Sequence, residues 1–254
     1  MLLEGKKGLV LNVSNNNSIG WGIVEALHQH GATIAVGAQN EKFLGKVEKL
    51  IEGQERLSAI TCDFSSEEDL SRLHDEVKAR FGKIDFFVHA AAFADREDLQ
   101  NRFIETSRAG FNLALEVSAY SLVAACRTLE PLFNEDASIV TLSYIGSTRA
   151  AANYNVMGVA KAALESAVRY LAVDLGDRGI RVNTLSPGPI NTLSARGVKG
   201  LAEKIRNVEE YVPLKRPFGQ HECGLNAVYL CSELSSGITG QIIYLDSGFN
   251  FVMK

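Results

Sequence analysis

The sequence predicts an α/β protein built on a doubly wound parallel sheet, and three observations carry that expectation. Apolar runs of strand length alternate with stretches of helical periodicity along the whole chain. The strand runs are continuously apolar, as in parallel sheets covered by helices on both faces. The first run opens into the loop Asn12-Val-Ser-Asn-Asn-Asn-Ser-Ile-Gly-Trp-Gly22 and then a helix, an arrangement that presents free backbone N–H groups at a helix start. Right-handed crossovers between such units give a Rossmann-like sheet of about seven strands.

The elements follow in order. A strand at residues 8–13 leads to a helix over 19–30, a strand at 33–37 to a helix over 41–51, and a strand at 57–62 to a helix over 67–81. Strand 84–90 precedes a long helical pattern over 106–132. Strand 138–142 precedes a helix over 155–177, strand 181–186 ends in the turn Pro187-Gly188-Pro189, and helix 221–234 leads to a last strand at 241–245. No linker, repeat or low-complexity segment divides the chain, so residues 1–254 read as one domain.

Composition fits a soluble enzyme and excludes little else: 46% hydrophobic residues, 22% charged residues and a net charge of −4, which argues against nucleic acid as the main partner. No apolar run approaches the roughly 18–20 residues that span a bilayer, and the first residues lack a secretion signal. The expected setting is the cytoplasm, with no membrane partner. Cys62, Cys126, Cys223 and Cys231 are scattered and fit free thiols in a reducing compartment. His28, His30 and the short His221-Glu-Cys223 offer no ligand spacing, so no metal is expected.

The chemistry concentrates in one stretch, Ser143-Tyr-Ile-Gly-Ser-Thr-Arg-Ala-Ala-Ala-Asn-Tyr-Asn-Val-Met-Gly-Val-Ala-Lys161. Tyr154 and Lys161 are seven residues apart, which on a helix returns a side chain to within roughly 20° of its starting direction. A phenol and an ammonium would then share one face. Either residue alone also suits an ordinary helix position; together with Tyr144 they suggest a site that stabilises negative charge on oxygen.

This segment resembles the FabI-type enoyl-acyl-carrier-protein reductases, a divergent branch of the short-chain dehydrogenase/reductases. That family carries a Tyr, nine residues, a second Tyr, six residues and a Lys, matched here by Tyr144, Tyr154 and Lys161. The segment from Ser186 to Leu193 and the ends of the chain are similar too. The resemblance implies hydride transfer from NADH to the β-carbon of a trans-2-enoyl thioester. It assigns Tyr154 to the enolate oxygen and Lys161 to the cofactor ribose, and places Tyr144 beside the thioester or near α-carbon protonation.

It also implies a cofactor set of Asn12, Ser18, Ile19, Gln39, Asp63, Phe64, Ala90, Lys161, Ile190 and Thr192. Substrate would meet Ala92, Phe93, Ala94, Tyr144, Met157 and Leu193. Asn12 stands where the family has Gly, Ala90 where it usually has Ser, and Ala92 where it has Gly. Asn is among the side chains that best tolerate a left-handed turn, so Asn12 keeps the loop feasible. Asp63 also suits a helix cap. No acid or Arg ends the second strand; Gln39 favours NADH, and nearby Lys42 leaves NADPH open.

Two other readings stand beside this one. Ordinary short-chain carbonyl reductases use Tyr-x-x-x-Lys, but position 158 is Gly158. A nucleotide-binding relative with little turnover would fit the changes at positions 12, 90 and 92. The partner implied is an enoyl thioester on an acidic acyl carrier protein, with coenzyme A as the other carrier. Arg196, Lys199, Lys204 and Arg206 are candidate docking charges in a substrate-binding segment at about 190–210, while Ala202 and Glu203 occupy two basic positions of the family. A homotetramer is implied by the resemblance alone.

Overall fold

The computed structural model describes residues 1–192, 205, 208–216 and 218–252. Its sheet has seven strands: β1 Lys7–Leu11, β2 Thr33–Ala38, β3 Leu57–Thr61, β4 Ile84–His89, β5 Phe133–Leu142, β6 Arg181–Pro187 and β7 Ile242–Leu245. Their order is β3-β2-β1-β4-β5-β6-β7, and every neighbouring pair is parallel. The order reverses between β1 and β4. That junction opens a crevice at the carboxyl ends of the strands, where folds of this kind receive ligands.

Alternation along each strand feeds two cores. Leu9, Leu11, Phe87, Ile139 and Val182 face one side, where they pack with α3 (Glu67–Phe81), α6 (Ser121–Leu129) and α7 (Asn155–Asp174). Val10, Ile34, Val36, Phe86, Val88, Val140 and Leu185 face the other, against α1 (Ile19–Gln29), α2 (Glu41–Ile51) and α9 (Gln220–Cys231). A single one-residue slip in any strand would exchange these faces, so burial on both sides fixes the register. Helices α1 and α9 approach closely because both carry glycine at the crossing. A Cβ on Gly22 would lie 2.6 Å from the Gln220 carbonyl oxygen, and one on Gly224 would overlap the Gly22 carbonyl.

The structure departs from the sequence expectations at several ends. Strand β1 stops at Leu11 because Asn12 is left-handed, with φ 71°. Strand β5 starts five residues earlier than the apolar run, at Phe133 instead of Ser138, with a register shift against Ile84 and Phe86 of β4. Its polar start is held from outside by Arg178, whose guanidinium donates to the Phe133 carbonyl at 2.7 Å and to Glu135 at 3.1 Å. The last helix of the 155–177 pattern ends at Asp174, with a 3₁₀ turn at Gly176–Arg178 closed by left-handed Gly179. Similarly, the 221–234 pattern divides into α9 and a 3₁₀ turn at Glu233–Ser235.

Two short helices, α4 (Arg96–Gln100) and α8 (Val208–Tyr211), were not expected. The 106–132 pattern divides as well. Ser107 caps α5 (Arg108–Leu115), a π-helical turn spans Glu116–Tyr120, α6 follows, and a 3₁₀ turn at Glu130–Leu132 leads into β5. By length and composition the stretch Arg108–Leu132 could cross a membrane, contrary to the expectation of no such run. Its Leu122, Ala125 and Leu129 are instead embedded in the protein core.

Candidate active site

The candidate site forms around the crevice between β1 and β4 and the adjacent end of β5. On the β1 side, Asn12 turns the chain out of the strand, and its Nδ2 donates to the Ala90 carbonyl at 3.2 Å. The loop closes on Ser18, which caps α1 by accepting from the Trp21 N–H at 3.2 Å. The N–H groups of Ile19 and Gly20 have no acceptor among the described residues. Unpaired N–H groups at the positive end of an 11-residue helix suit an anionic diphosphate.

Gln39 is exposed after β2 and donates to Asp63 at 3.3 Å. Asp63 does not cap α3; Ser66 does, accepting from Asp69 N–H at 3.2 Å. Asp63 instead accepts from the Ser65 hydroxyl and N–H. Burial opposes its charge, but these hydrogen bonds outweigh burial and hold the carboxyl below its usual range. Phe64 is buried against the His89 ring, centroids 5.1 Å apart. The groups present thus fit a dinucleotide: helix N–H groups as donors for the phosphates, the Gln39 amide and the accepting Asp63 carboxylate at the far end, and no Arg at the end of β2 for a 2′-phosphate.

The β5 side is built differently. Tyr154 is not within the helix but is the residue that begins it, with Asn155 as the first residue of α7. Asn153 (φ 63°) and Asn155 (φ 42°) flank it, both left-handed. The seven-residue face therefore does not apply as helix geometry alone; the turn at 153–155 aims the ring. Tyr154 packs edge-on to Tyr144, with centroids 4.8 Å apart at 62°. Neither phenol hydroxyl has a hydrogen-bond partner among the described residues, so both are open to a ligand oxygen. Burial raises the pKa of both phenols, helped at Tyr154 by Tyr144 and Glu165 and at Tyr144 by Asp246. Both stay protonated donors at neutral pH.

Lys161 is buried, at 4% exposure, and donates to the Leu142 carbonyl at 2.8 Å. Burial lowers its pKa to about 8, and the charge of buried Glu165 works against that fall. Glu165 is held in turn by the Ser143 hydroxyl at 2.5 Å. Met157 lies in a small apolar cluster with Leu99, Ala114, Val156 and Ala160, against which Ala94 and Tyr154 pack. Ala92 and Phe93 are exposed at the mouth, Phe93 by 50%. Ile190 packs on the second core and Thr192 closes a tight turn, its N–H donating to the Ile190 carbonyl at 2.9 Å. Leu193 and the candidate docking residues Arg196, Lys199, Ala202, Glu203, Lys204 and Arg206 lie outside the described residues.

Comparison with known proteins separates the enoyl reductase reading from that of an ordinary carbonyl reductase. A family model described as enoyl-(acyl carrier protein) reductase matches residues 13–250. The chain belongs to the enoyl-acyl-carrier-protein reductase family. Among its relatives, an NADH-named FabI enoyl reductase of Nostoc is 44% identical over 253 residues, 98% of each chain. A Bacillus cereus enzyme of the same name is 45% identical over 254 residues, 99% of each. The crystal structure of the Bacillus cereus enzyme with NADP+ and indole naphthyridinone superposes with a TM-score of 0.96 at 44% identity, covering 100% of this chain and 99% of that one. An Anaplasma phagocytophilum enoyl reductase in complex with NAD superposes at 0.94 with 38% identity, covering 100% and 97%.

Several residues of this enoyl reductase family member escaped the spacing argument. Gly146 and Gly158 make room for Tyr154. A Cβ at Gly146 would sit 2.5 Å from the Tyr154 ring, and one at Gly158 would sit 2.7 Å from the Gly146 carbonyl. Position 158 is where a carbonyl reductase would carry its Lys, and here no side chain fits. Glu165 lies one turn beyond Lys161, a spacing that could have marked it. His89 is fully buried between Thr141 (3.0 Å) and Ser121 (2.9 Å). The Ser121 hydroxyl also reaches the Val117 carbonyl at 2.7 Å and the Thr141 hydroxyl the His89 carbonyl at 3.2 Å, so one of the two hydroxyls must turn its hydrogen to the neutral ring. Burial, then the charge of Lys161, lowers its pKa to about 3 and keeps it neutral.

Proposed function

We propose that this protein reduces the double bond of a trans-2-enoyl thioester with NADH, yielding the saturated acyl thioester of type II fatty acid synthesis. What supports it most is the edge-on packing of Tyr144 on Tyr154 with both phenol hydroxyls unpaired among the described residues, while buried Glu165 acts electrostatically on both Tyr154 and Lys161. The dinucleotide, when bound, supplies the hydride that the β-carbon accepts. Charge then develops on the thioester oxygen, and Tyr154, held protonated by burial, donates a hydrogen bond to that enolate, which becomes the saturated thioester when its α-carbon takes a proton drawn from solvent. Lys161 holds the ribose hydroxyls and contributes positive charge, and Tyr144 orients the thioester.

On this reading Asn12, Ser18, Ile19, Ala90, Ile190 and Thr192 line the dinucleotide, with Gln39, Asp63 and Phe64 at its adenosine end. Ala92, Phe93, Ala94, Met157 and Leu193 line the acyl group. NADH is favoured because no cation ends β2. The chain acts as one catalytic unit with a substrate-binding segment at about 190–210. Its substrate rides on an acidic carrier protein in the cytoplasm, and the enzyme assembles as a homotetramer.

The test is NADH oxidation by purified protein with a trans-2-enoyl thioester. Turnover that disappears in both Tyr154→Phe and Lys161→Ala supports the reading. Tight NADH binding with no turnover on any enoyl thioester would overturn it.

A further inference from the structure

The geometry points to Asn155 as a positioning residue for Tyr154: its carboxamide ties the carbonyl end of α4 to the first turn of α7. This rests on the reading of Tyr154 as the enolate donor. Three observations carry it. First, Asn155 Nδ2 faces three carbonyl oxygens at the end of α4, Asn101 at 2.8 Å, Asp98 at 3.2 Å and Leu99 at 3.4 Å. The last turn of a helix leaves such carbonyls without partners, and α4 has only five residues. It cannot be a stable element on its own.

Second, Asn155 takes φ 42°, a conformation that costs a non-glycine residue energy and persists only where its surroundings impose it. The tether is such an imposition. It acts on the residue whose N–Cα geometry immediately follows Tyr154. Third, the element tied down is itself braced and reaches the site. Buried Asp98 accepts from the Ser107 N–H at 2.9 Å and the Ser107 hydroxyl at 3.3 Å, which fixes the start of α5. Leu99 enters the cluster of Met157 against which Tyr154 and Ala94 pack. Asn155 thus joins the wall that receives the acyl group to the turn that aims the phenol. Without the tether, Tyr154 keeps its chemistry but loses its aim.

The experiment is a double-mutant cycle on turnover with a trans-2-enoyl thioester, combined with direct NADH binding. Asn155→Gly keeps left-handed backbone freedom and removes only the carboxamide; Asn155→Ala removes both. Each lowers kcat about 10- to 100-fold, the scale expected for a misplaced catalytic group, with NADH affinity within about twofold of wild type. Combining Asn155→Gly with Tyr154→Phe adds no further loss, because the tether acts through that phenol. Wild-type kcat in Asn155→Gly, or losses that multiply in the double variant, overturns the proposal while leaving Tyr154 in its role. Undiminished turnover in Tyr154→Phe overturns the reading of Tyr154 and the proposal with it.

Discussion

The two halves of the crevice are made of different materials. On the β1–β3 half, contact to a ligand would come from backbone: a left-handed residue, a helix start and unpaired N–H groups, with side chains such as Ser18 and Asp63 bonded to their own loops. On the β5–α7 half, the candidate groups are side chains, Lys161 and Glu165 buried and the two tyrosines half-buried, with Glu165 acting electrostatically on both Tyr154 and Lys161. Backbone recognition tolerates side-chain change, whereas a cluster of buried titratable groups does not. A side chain such as that of Asn12 can therefore stand at the turn without being the recognition element, because the left-handed backbone is what the turn requires.

The comparison is tested hardest at Tyr154. Tyr154→Phe removes the proposed enolate donor and is expected to lower kcat/KM by about 10²- to 10³-fold, with NADH affinity unchanged by titration. A comparable loss of NADH affinity would erase the division between the halves.

Lys161 gives the next largest effect. With its pKa lowered to about 8, activity that needs the cation declines as pH rises through that value. Glu165→Gln removes the charge that opposes the fall, so the declining limb of the kcat/KM profile moves to lower pH; a stationary limb would detach Glu165 from the site. Stability runs the other way. The unfolded lysine, near 10.5, binds a proton that the folded one has released, so this group adds stability as pH climbs from about 8 toward 10.5. Thermal melts of wild type against Lys161→Met should diverge across that window.

Gly158→Ala forces a methyl against the Gly146 carbonyl and should destabilise by about 1–3 kcal/mol. For a chain of this size that is a Tm lowered by about 2–10 °C, accompanied by reduced kcat as the Tyr154 ring shifts. The smallest effect belongs to the backbone half. Asn12→Gly keeps the left-handed turn and loses only the hydrogen bond to Ala90, so NADH affinity should stay within about threefold. Asn12→Ala, which also strains the turn, should lower stability by about 1–2 kcal/mol. A tenfold change in NADH affinity from Asn12→Gly would show that the Asn side chain, rather than the backbone, carries recognition.

Most of the sheet was legible because apolar runs such as Leu9–Leu11 and Phe86–Val88 are buried on both faces, a local pattern with one tertiary outcome. The exceptions are held from a distance. The start of β5 carries the polar residues Asn134, Glu135 and Asp136, and is held by Arg178 reaching over from the 3₁₀ turn that follows α7. Helix α4 is five mostly charged residues anchored by Leu99 and Asn155, neither visible as periodicity. The π turn at Glu116–Tyr120 inserts one residue into an otherwise helical pattern and leaves no mark in composition. In the site, Tyr144, Tyr154 and Lys161 were readable from spacing, but the positive-φ residues on either side of Tyr154, Asn153 and Asn155, leave no mark in that spacing. Glycines 146 and 158 act by what they lack, which a search for chemical groups passes over.

Trp21 is the chain's one tryptophan, and it lies buried in the first turn of α1 with its N–H bonded to the capping Ser18. The protein therefore carries a built-in optical label on the backbone half of its crevice and none on the side-chain half. Emission excited selectively at this indole comes from the helix start where a nucleotide would arrive, apart from the tyrosines of the other half. The protein thus offers a candidate binding signal at that helix without an attached probe.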